Sequence, residues 1–226
     1  MNDLKIIGYV RSDFPTKFGI PRQSGICKSL KSRIEFLPEY SMEEAFRGLE
    51  EFSHIWVLWQ FSECKDKDFS PTVRPPKLGG NKRIGVFATR SPFRPNNIGI
   101  SSVEIEKIEY TEKGTVLHII GADMMDLTPV IDIKPYIPYA DSHQNAKGGF
   151  SVEKGDMKVK IPKGVLGDFP KEKINALKEI LAEDPRPGYI DDERDFGFEF
   201  AGYEITFSVS QNILTVKKID KKLSRK

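Results

Sequence analysis

Residues 53–61 read Ser-His-Ile-Trp-Val-Leu-Trp-Gln-Phe, and this stretch decides the fold class. In an extended chain Ile55, Val57, Trp59 and Phe61 fall on one face and Trp56 and Leu58 on the other, so both faces are largely apolar, as in a central, covered strand. His54, beside Ser53, reads as a hydrogen-bonded histidine of that strand. Upstream, Leu4 to Arg11 is β-rich and runs into Ser12, Asp13 and Pro15; a loop continues through Pro21-Arg22-Gln23-Ser24-Gly25, and Ser32 to Phe36 is a second short strand. Ser41-Met42-Glu43-Glu44 has the form of a capping box, which predicts a short helix closed by Gly48. Downstream, Pro71, Pro75, Pro76, Gly79 and Gly80 forbid regular pairing over 68–81, and Arg83 to Thr89 reads as a strand that delivers the chain into Arg90-Ser91-Pro92-Phe93-Arg94-Pro95-Asn96-Asn97. Apolar alternation changes phase between Val103 and Tyr110, which predicts a β-bulge near Lys107; a strand from Thr115 to Ile120 follows a Lys113-Gly114 turn. Five or more strands with one short helix predict a mainly β fold, a closed or nearly closed β-barrel and not a Rossmann sheet.

Past residue 140 the texture turns polar, Gly-containing and Lys-rich, which places a boundary between about 140 and 165. The expected organisation is a barrel domain over 1–145 and a linker with a small α+β domain over 146–226. In the latter, Pro170 to Leu181 is helical with Ile174, Leu177, Ile180 and Leu181 on one face. Phe196, Phe198 and Phe200, then Ile205, Phe207 and Val209, then Ile213 to Val216 form a three-strand meander.

Composition excludes several classes. With 38% apolar and 30% charged residues the chain buries a core and is not disordered. Cys27, Cys64 and three histidines show no metal-ligand spacing, so no metal is expected; one disulfide could form but the fold does not need it. No apolar run approaches a membrane span, and no apolar stretch follows a basic head at the start, so the expectation is a cytoplasmic protein without a membrane partner. A net charge of +2 argues on its face against nucleic acid. The average conceals blocks: residues 1–34 carry seven basic and two acidic groups (+5), residues 65–94 eight and two (+6), and the last ten six and one (+5). Such blocks make a local basic surface if folding brings them together.

No glycine-rich phosphate cradle is present. Two irregular segments stand out instead. Arg90 to Gly99 packs prolines, arginines, asparagines and a Phe directly after a strand, which suits either a rigid ligand-presenting loop or a well-capped structural turn. Asp123-Met124-Met125-Asp126-Leu127-Thr128-Pro129-Val130-Ile131-Asp132-Ile133-Lys134 sets three carboxylates and a lysine in apolar sequence, where burial is costly unless they are paired or functional. Asp132 and Lys134, two apart, share a strand face and suit a simple ion pair equally well.

Several longer strings carry a resemblance: Pro21-Arg22-Gln23, Arg47-Gly48-Leu49-Glu50-x-Phe52-Ser53-His54, Pro71-Thr72-Val73-Arg74-Pro75-Pro76, Gly85 to Asn96, Thr128-Pro129-Val130-x-Asp132-Ile133-Lys134-Pro135-Tyr136, and Asp184-Pro185-Arg186-Pro187 with Tyr189. The chain resembles the TrmO (TsaA-like, YaeB) family of tRNA methyltransferases. The resemblance implies a β-barrel enzyme that acts as a homodimer, uses S-adenosyl-L-methionine, and methylates N6 of threonylcarbamoyladenosine next to the anticodon of tRNA, at position 37. It implies cofactor contacts at Pro21, Arg22, Gln23, Ser62, Glu63, Arg90, Ile100, Asp123, Met124, Met125 and Asp126. Ser62-Glu63 and Leu127 depart from the family pattern, which has Gly in place of Leu127.

Methyl transfer from a sulfonium needs the donor carbon and acceptor nitrogen held in line with water excluded, more than it needs a nucleophile. Asp126 or Asp132 is expected to assist proton loss, and Lys134 or Arg94 to receive a threonyl carboxylate. Arg74, Arg94, Asn96, Arg186 and Tyr189 are expected substrate contacts, with the basic 1–34 and 65–94 blocks forming one positive rim. Two alternatives stay open on sequence alone: a methyltransferase for another RNA or a small molecule, and a non-catalytic cofactor-binding module.

Overall fold

The computed structural model describes residues 4–64, 69–75, 78, 81–151, 157–186 and 194–222. Its N-terminal strands are β1 (Gly8–Arg11), β2 (Lys31–Phe36), β3 (His54–Gln60), β4 (Thr72–Val73), β5 (Ile84–Gly85), β6 (Ile98–Thr111), β7 (Gly114–Ile120) and β8 (Pro129–Pro135). Six of them close an antiparallel barrel in the order β1-β2-β7-β6-β3-β8, and Gly8 opposite Val130 completes the ring. Closure removes the exposed edges that an open sheet of this length would leave. Inward-facing Val10, Ile34, Ile55, Val57, Val103, Leu117, Ile119 and Val130 are fully buried, as the period-2 pattern requires.

The second face of β3 is covered only in part. Trp56 and Leu58 are half-buried, and Trp56 packs on Tyr136 while its indole N–H donates to Asp141 at 2.9 Å. His54 is half-buried too, with Nδ1 2.9 Å from the Ser53 hydroxyl. The bulge falls where the phase change predicts it: β6 and β7 shift register between Ile105 and Lys107, so Glu106 is the extra residue.

Two local expectations fail for reasons of competition. Ser41 does not cap a helix; its hydroxyl donates to the Pro38 carbonyl, and residues 43–46 form a 3-10 turn instead. The Arg83 to Thr89 strand shrinks to Ile84–Gly85, because Val86 to Ala88 turns into a 3-10 helix closed by the Thr89 hydroxyl on the Val86 carbonyl. Thr72 and Val73 do pair, with Gly85 and Ile84, despite the neighbouring prolines.

After α1 (Pro138–Asp141) come β9 (Lys158–Lys160), α2 (Ile174–Ala182), β10 (Phe196–Phe200), β11 (Tyr203–Ser210) and β12 (Ile213–Lys221). The sheet is four-stranded, in order β10-β11-β12-β9, since Lys158–Lys160, from the Lys-rich stretch, adds in parallel to the β12 edge of the meander. The Ala176, Leu177, Ile180 and Leu181 face of α2 covers this sheet. Phe14, Cys27 and Leu30, from the long β1–β2 connection, are buried in the same cluster. Cys27 is a free thiol whose pKa burial, with Glu179 and Glu183 nearby, pushes up to about 12, so it is inert packing. Among the described residues no helix is long and apolar enough to cross a membrane, and no group of three or more His, Cys, Asp or Glu side chains could hold a metal.

Candidate active site

Trp59, one residue before the end of β3, pairs with Gly99 of β6 beside a cavity at the barrel mouth. A Cβ at Gly99 would lie 2.4 Å from the indole, so glycine is what lets the ring lie across β6. Trp59 and Phe61, with centroids 4.3 Å apart, give the cavity an aromatic wall; Ile98, Ile100 and Met125 extend its apolar surface. The space is about 480 Å³, within the range that holds one small-molecule ligand.

Polar groups converge on this apolar wall from separate loops. Pro21, Arg22 and Gln23 come from the β1–β2 connection, Ser62 and Glu63 from the turn after β3, Arg90 from the loop before β6, and Asp123 from the β7–β8 loop. Arg90 donates to the Gln23 side-chain carbonyl, tying two of these loops together. Behind them runs a hydrogen-bonded chain: the Trp59 indole N–H donates to the Ser101 hydroxyl (2.9 Å), which donates to Asp123 Oδ1 (2.6 Å). Ser101 is 1% exposed. Burial pushes the Asp123 carboxyl above its ordinary pKa, while the Ser101 hydrogen bond and the Arg90 charge pull the other way.

Of the expected cofactor contacts the structure therefore gathers Pro21, Arg22, Gln23, Ser62, Glu63, Arg90, Ile100, Asp123 and Met125 around one cavity. Met124 is not among them: alternation turns its side chain into the barrel core. Asp126 is not either. It accepts the Ser12 N–H (3.0 Å), sits 3.8 Å from Arg11, and lines a separate polar depression. Asp132 and Lys134 form the simple ion pair, 2.8 Å apart. A register shift between Leu58 and Trp59 against β8 reverses its alternation, so Val130 and Ile133 both pack on the core and Asp132 and Lys134 share the other face. The expected catalytic trio of Asp126, Asp132 and Lys134 thus lies outside the cavity.

The expected substrate residues divide as well. Arg94 lines the cavity, but its Nη1 is held by the carbonyls of Val86 (3.1 Å) and Thr89 (2.7 Å), which makes it the internal clamp of its loop; Asn97 adds a bond to the Pro92 carbonyl. Asn96 is exposed and lines no part of the cavity. Arg186 grips Asp184 through two nitrogens (2.8 and 3.0 Å) and gives its carbonyl to Arg22, so it supports the cavity loop. Arg74 lies in a second, larger groove with Arg22, Arg83 and Arg90, next to the cavity. Arg22 comes from the 1–34 block and the other three from 65–94, so folding joins the two basic blocks there. Tyr189 lies outside the described residues. Sequence reasoning missed Trp59, Gly99 and Ser101 as site residues, because only the β3–β6 register reveals them.

A closed antiparallel barrel that carries a loop-walled cavity at its mouth defines a β-barrel protein outside the Rossmann class. Within that class the chain belongs to the tRNA-methyltransferase O family: the family's N-terminal domain matches residues 9–142 and its C-terminal domain residues 168–222. It is 42% identical over 192 residues to a tRNA (adenine(37)-N6)-methyltransferase of Escherichia coli (strain K12), covering 81% of each chain. A putative S-adenosylmethionine-dependent methyltransferase, RcsF, of Pseudomonas aeruginosa is 38% identical over 198 residues, again 81% of each chain. A crystal structure of TrmO superposes with a TM-score of 0.80 at 30% identity, covering 97% of this chain and 99% of that one.

Proposed function

We propose that the chain is an S-adenosyl-L-methionine-dependent tRNA methyltransferase that modifies N6 of adenosine 37, with the threonylcarbamoyl form of that base as its substrate. The observation that carries this reading is the junction of two sites: a small mixed cavity opens beside a large groove that four arginines line, and Arg22, Gln23, Thr89, Arg90 and Pro92 border both. A donor in the one is thereby brought next to a polyanion in the other.

The cavity residues fit the donor chemically. Trp59, Phe61, Ile98 and Ile100 offer faces for a purine, Asp123 accepts from sugar hydroxyls, and Arg22, Arg90 and Glu63 match the charges of an amino-acid tail. When bound, the cofactor supplies an electrophilic methyl group. The protein contributes orientation through loops fixed by Arg90 to Gln23 and by Arg94 to its own turn. The acceptor nitrogen must lose its proton, and of the carboxylates near the mouth only Asp123 and Glu63 face the cavity among the described residues; Asp126 and Asp132 are engaged by Arg11 and Lys134. D123N and E63Q, with cofactor affinity and single-turnover methylation measured separately, assign that role.

Purified protein incubated with labelled cofactor and tRNA, with and without the threonylcarbamoyl group, tests donor, acceptor and prerequisite together. Label on adenosine 37 of modified tRNA alone is expected; no transfer to either tRNA refutes the proposal. Binding should also weaken steeply as salt rises, because phosphate contacts release counterions. A cytoplasmic location follows from the tRNA substrate, and homodimerisation, implied by the family resemblance, is checked by sedimentation.

A further inference from the structure

The larger groove contains a feature that phosphate binding does not explain. Phe87 is 69% exposed, on a 3-10 turn anchored by the Val86 N–H on the Pro71 carbonyl. Phe69, 48% exposed, stacks beside it at 28° with centroids 6.3 Å apart. The Arg94 guanidinium lies 5.3 Å from the Phe87 centroid and is itself fixed by two carbonyls. The ring is therefore held by two neighbours while remaining open to solvent. Around it the groove, about 1350 Å³, is lined by Arg22, Arg74, Arg83 and Arg90 and by no Asp or Glu among the described residues. That volume exceeds what a small ligand fills, and a rigid aromatic in a cationic groove is the arrangement that binds unstacked bases of single-stranded nucleic acid.

We propose that Phe87, braced by Arg94 and Phe69, is a stacking platform for an unpaired loop nucleobase of the RNA substrate, other than the base that is methylated, with Arg74 and Arg83 taking the flanking phosphates. Methylation chemistry takes place in the adjoining cavity, so the platform sets which loop register reaches it. This inference rests on the RNA reading proposed above.

The test uses the full chain, F87A and F87W, a fluorescent anticodon stem-loop RNA, and matched hairpins each with one abasic loop position. Because Phe87 is exposed, neither variant threatens the fold. F87A should bind the intact hairpin about 5- to 150-fold more weakly, the range expected for losing one base–aromatic stack. F87W should bind like the parent, and cofactor affinity should stay constant in both. The F87A loss should vanish on one abasic hairpin, which names the stacked base. Equal binding by F87A and the parent, or an equal loss on every abasic hairpin, overturns the platform. If the parent methylates tRNA while F87A binds normally, the platform alone fails; if the parent neither binds nor methylates RNA, the underlying function fails.

Discussion

Ser101→Ala isolates the relay that holds Asp123 in the cavity wall. The hydroxyl does two things at once: it accepts the Trp59 indole N–H and donates to the Asp123 carboxylate. Trp59 is only 7% exposed, so after the substitution its N–H is left without a partner in a nearly dry setting, which costs about 1–3 kcal/mol. The charge-assisted bond to Asp123 contributes on the order of 1.5–3 kcal/mol, part of which water in the cavity restores. The expected net loss is about 2–4 kcal/mol, a fall in Tm of roughly 5–15 °C for a chain of this length. The Ser101 bond also holds the Asp123 pKa down against burial, so its loss moves that pKa further up. Differential scanning calorimetry and cofactor titration on S101A, W59F and the double variant measure both effects. In the W59F background the same substitution should be milder, because no indole N–H remains to be orphaned. A Tm within about 1 °C of the parent, or an identical loss in both backgrounds, would refute the relay.

The remaining expectations concern single residues. Asp123 has a folded-state pKa above its unfolded value, so its contribution to stability is complete below the ordinary carboxylate pKa and is lost as pH rises through the raised value. D123N should therefore melt higher than the parent at neutral pH, with the gap closing on acidification, and should bind cofactor less well; a gap that does not move with pH contradicts this. Leu127 has φ +62° and is 53% exposed. L127G relieves strain of about 1–3 kcal/mol against roughly 0.5–1 kcal/mol of added chain entropy, so it should stabilise by about 1 kcal/mol in urea, whereas L127A should give no gain. Glu179 accepts the Ser29 N–H at 2.8 Å and hydroxyl at 2.7 Å. E179A should lose about 2–3 kcal/mol and speed amide exchange in residues 20–30, with E179Q intermediate; unchanged exchange contradicts the tie.

The barrel is legible in the sequence because its signals are local. The doubly apolar Ser53–Phe61 strand, the phase change at Lys107 and the Lys113-Gly114 turn each follow from period-2 chemistry, which the sheet then obeys. The misses arise where a non-local partner decides. Ser41 looks like an N-cap until the Pro38 carbonyl is beside it, and Lys158–Lys160 looks irregular until β12 supplies an edge. Charge is ambiguous in the sequence for the same reason. Asp126, Asp132 and Arg186 look functional in the chain, yet each meets its own counter-ion in the fold: Arg11, Lys134 and Asp184. Asp123 alone of the carboxylates in its segment faces the cavity, with a hydroxyl and not a cation as its nearest partner.

The way the cavity wall is held argues for a different division of labour from the one the domain boundary suggests. Residues 17–23 form one side of the cavity, on a connection that the barrel holds through the Gly25 N–H on the Gly121 carbonyl, the Gly121 N–H on the Leu30 carbonyl, the Asp126 N–H on the Phe14 carbonyl and Arg90 on Gln23, and that the C-terminal elements hold as well. Phe14, Cys27 and Leu30 at its ends are buried in the second core, Asp13 pairs with Lys173, and Ser29 is tied to Glu179. Gly19, at φ +83°, has the Phe198 ring where a Cβ would stand, 2.2 Å away, so the loop crosses β10 at a distance only glycine allows. Arg22 finally donates to the Arg186 carbonyl. Contacts from α2, the turn before it, β10 and the segment after α2 thus share with the barrel in setting a loop that lines the cavity. The C-terminal elements act on the cavity through this loop, independently of any contact they make with RNA, and Arg186 belongs to that support because its guanidinium is closed onto Asp184.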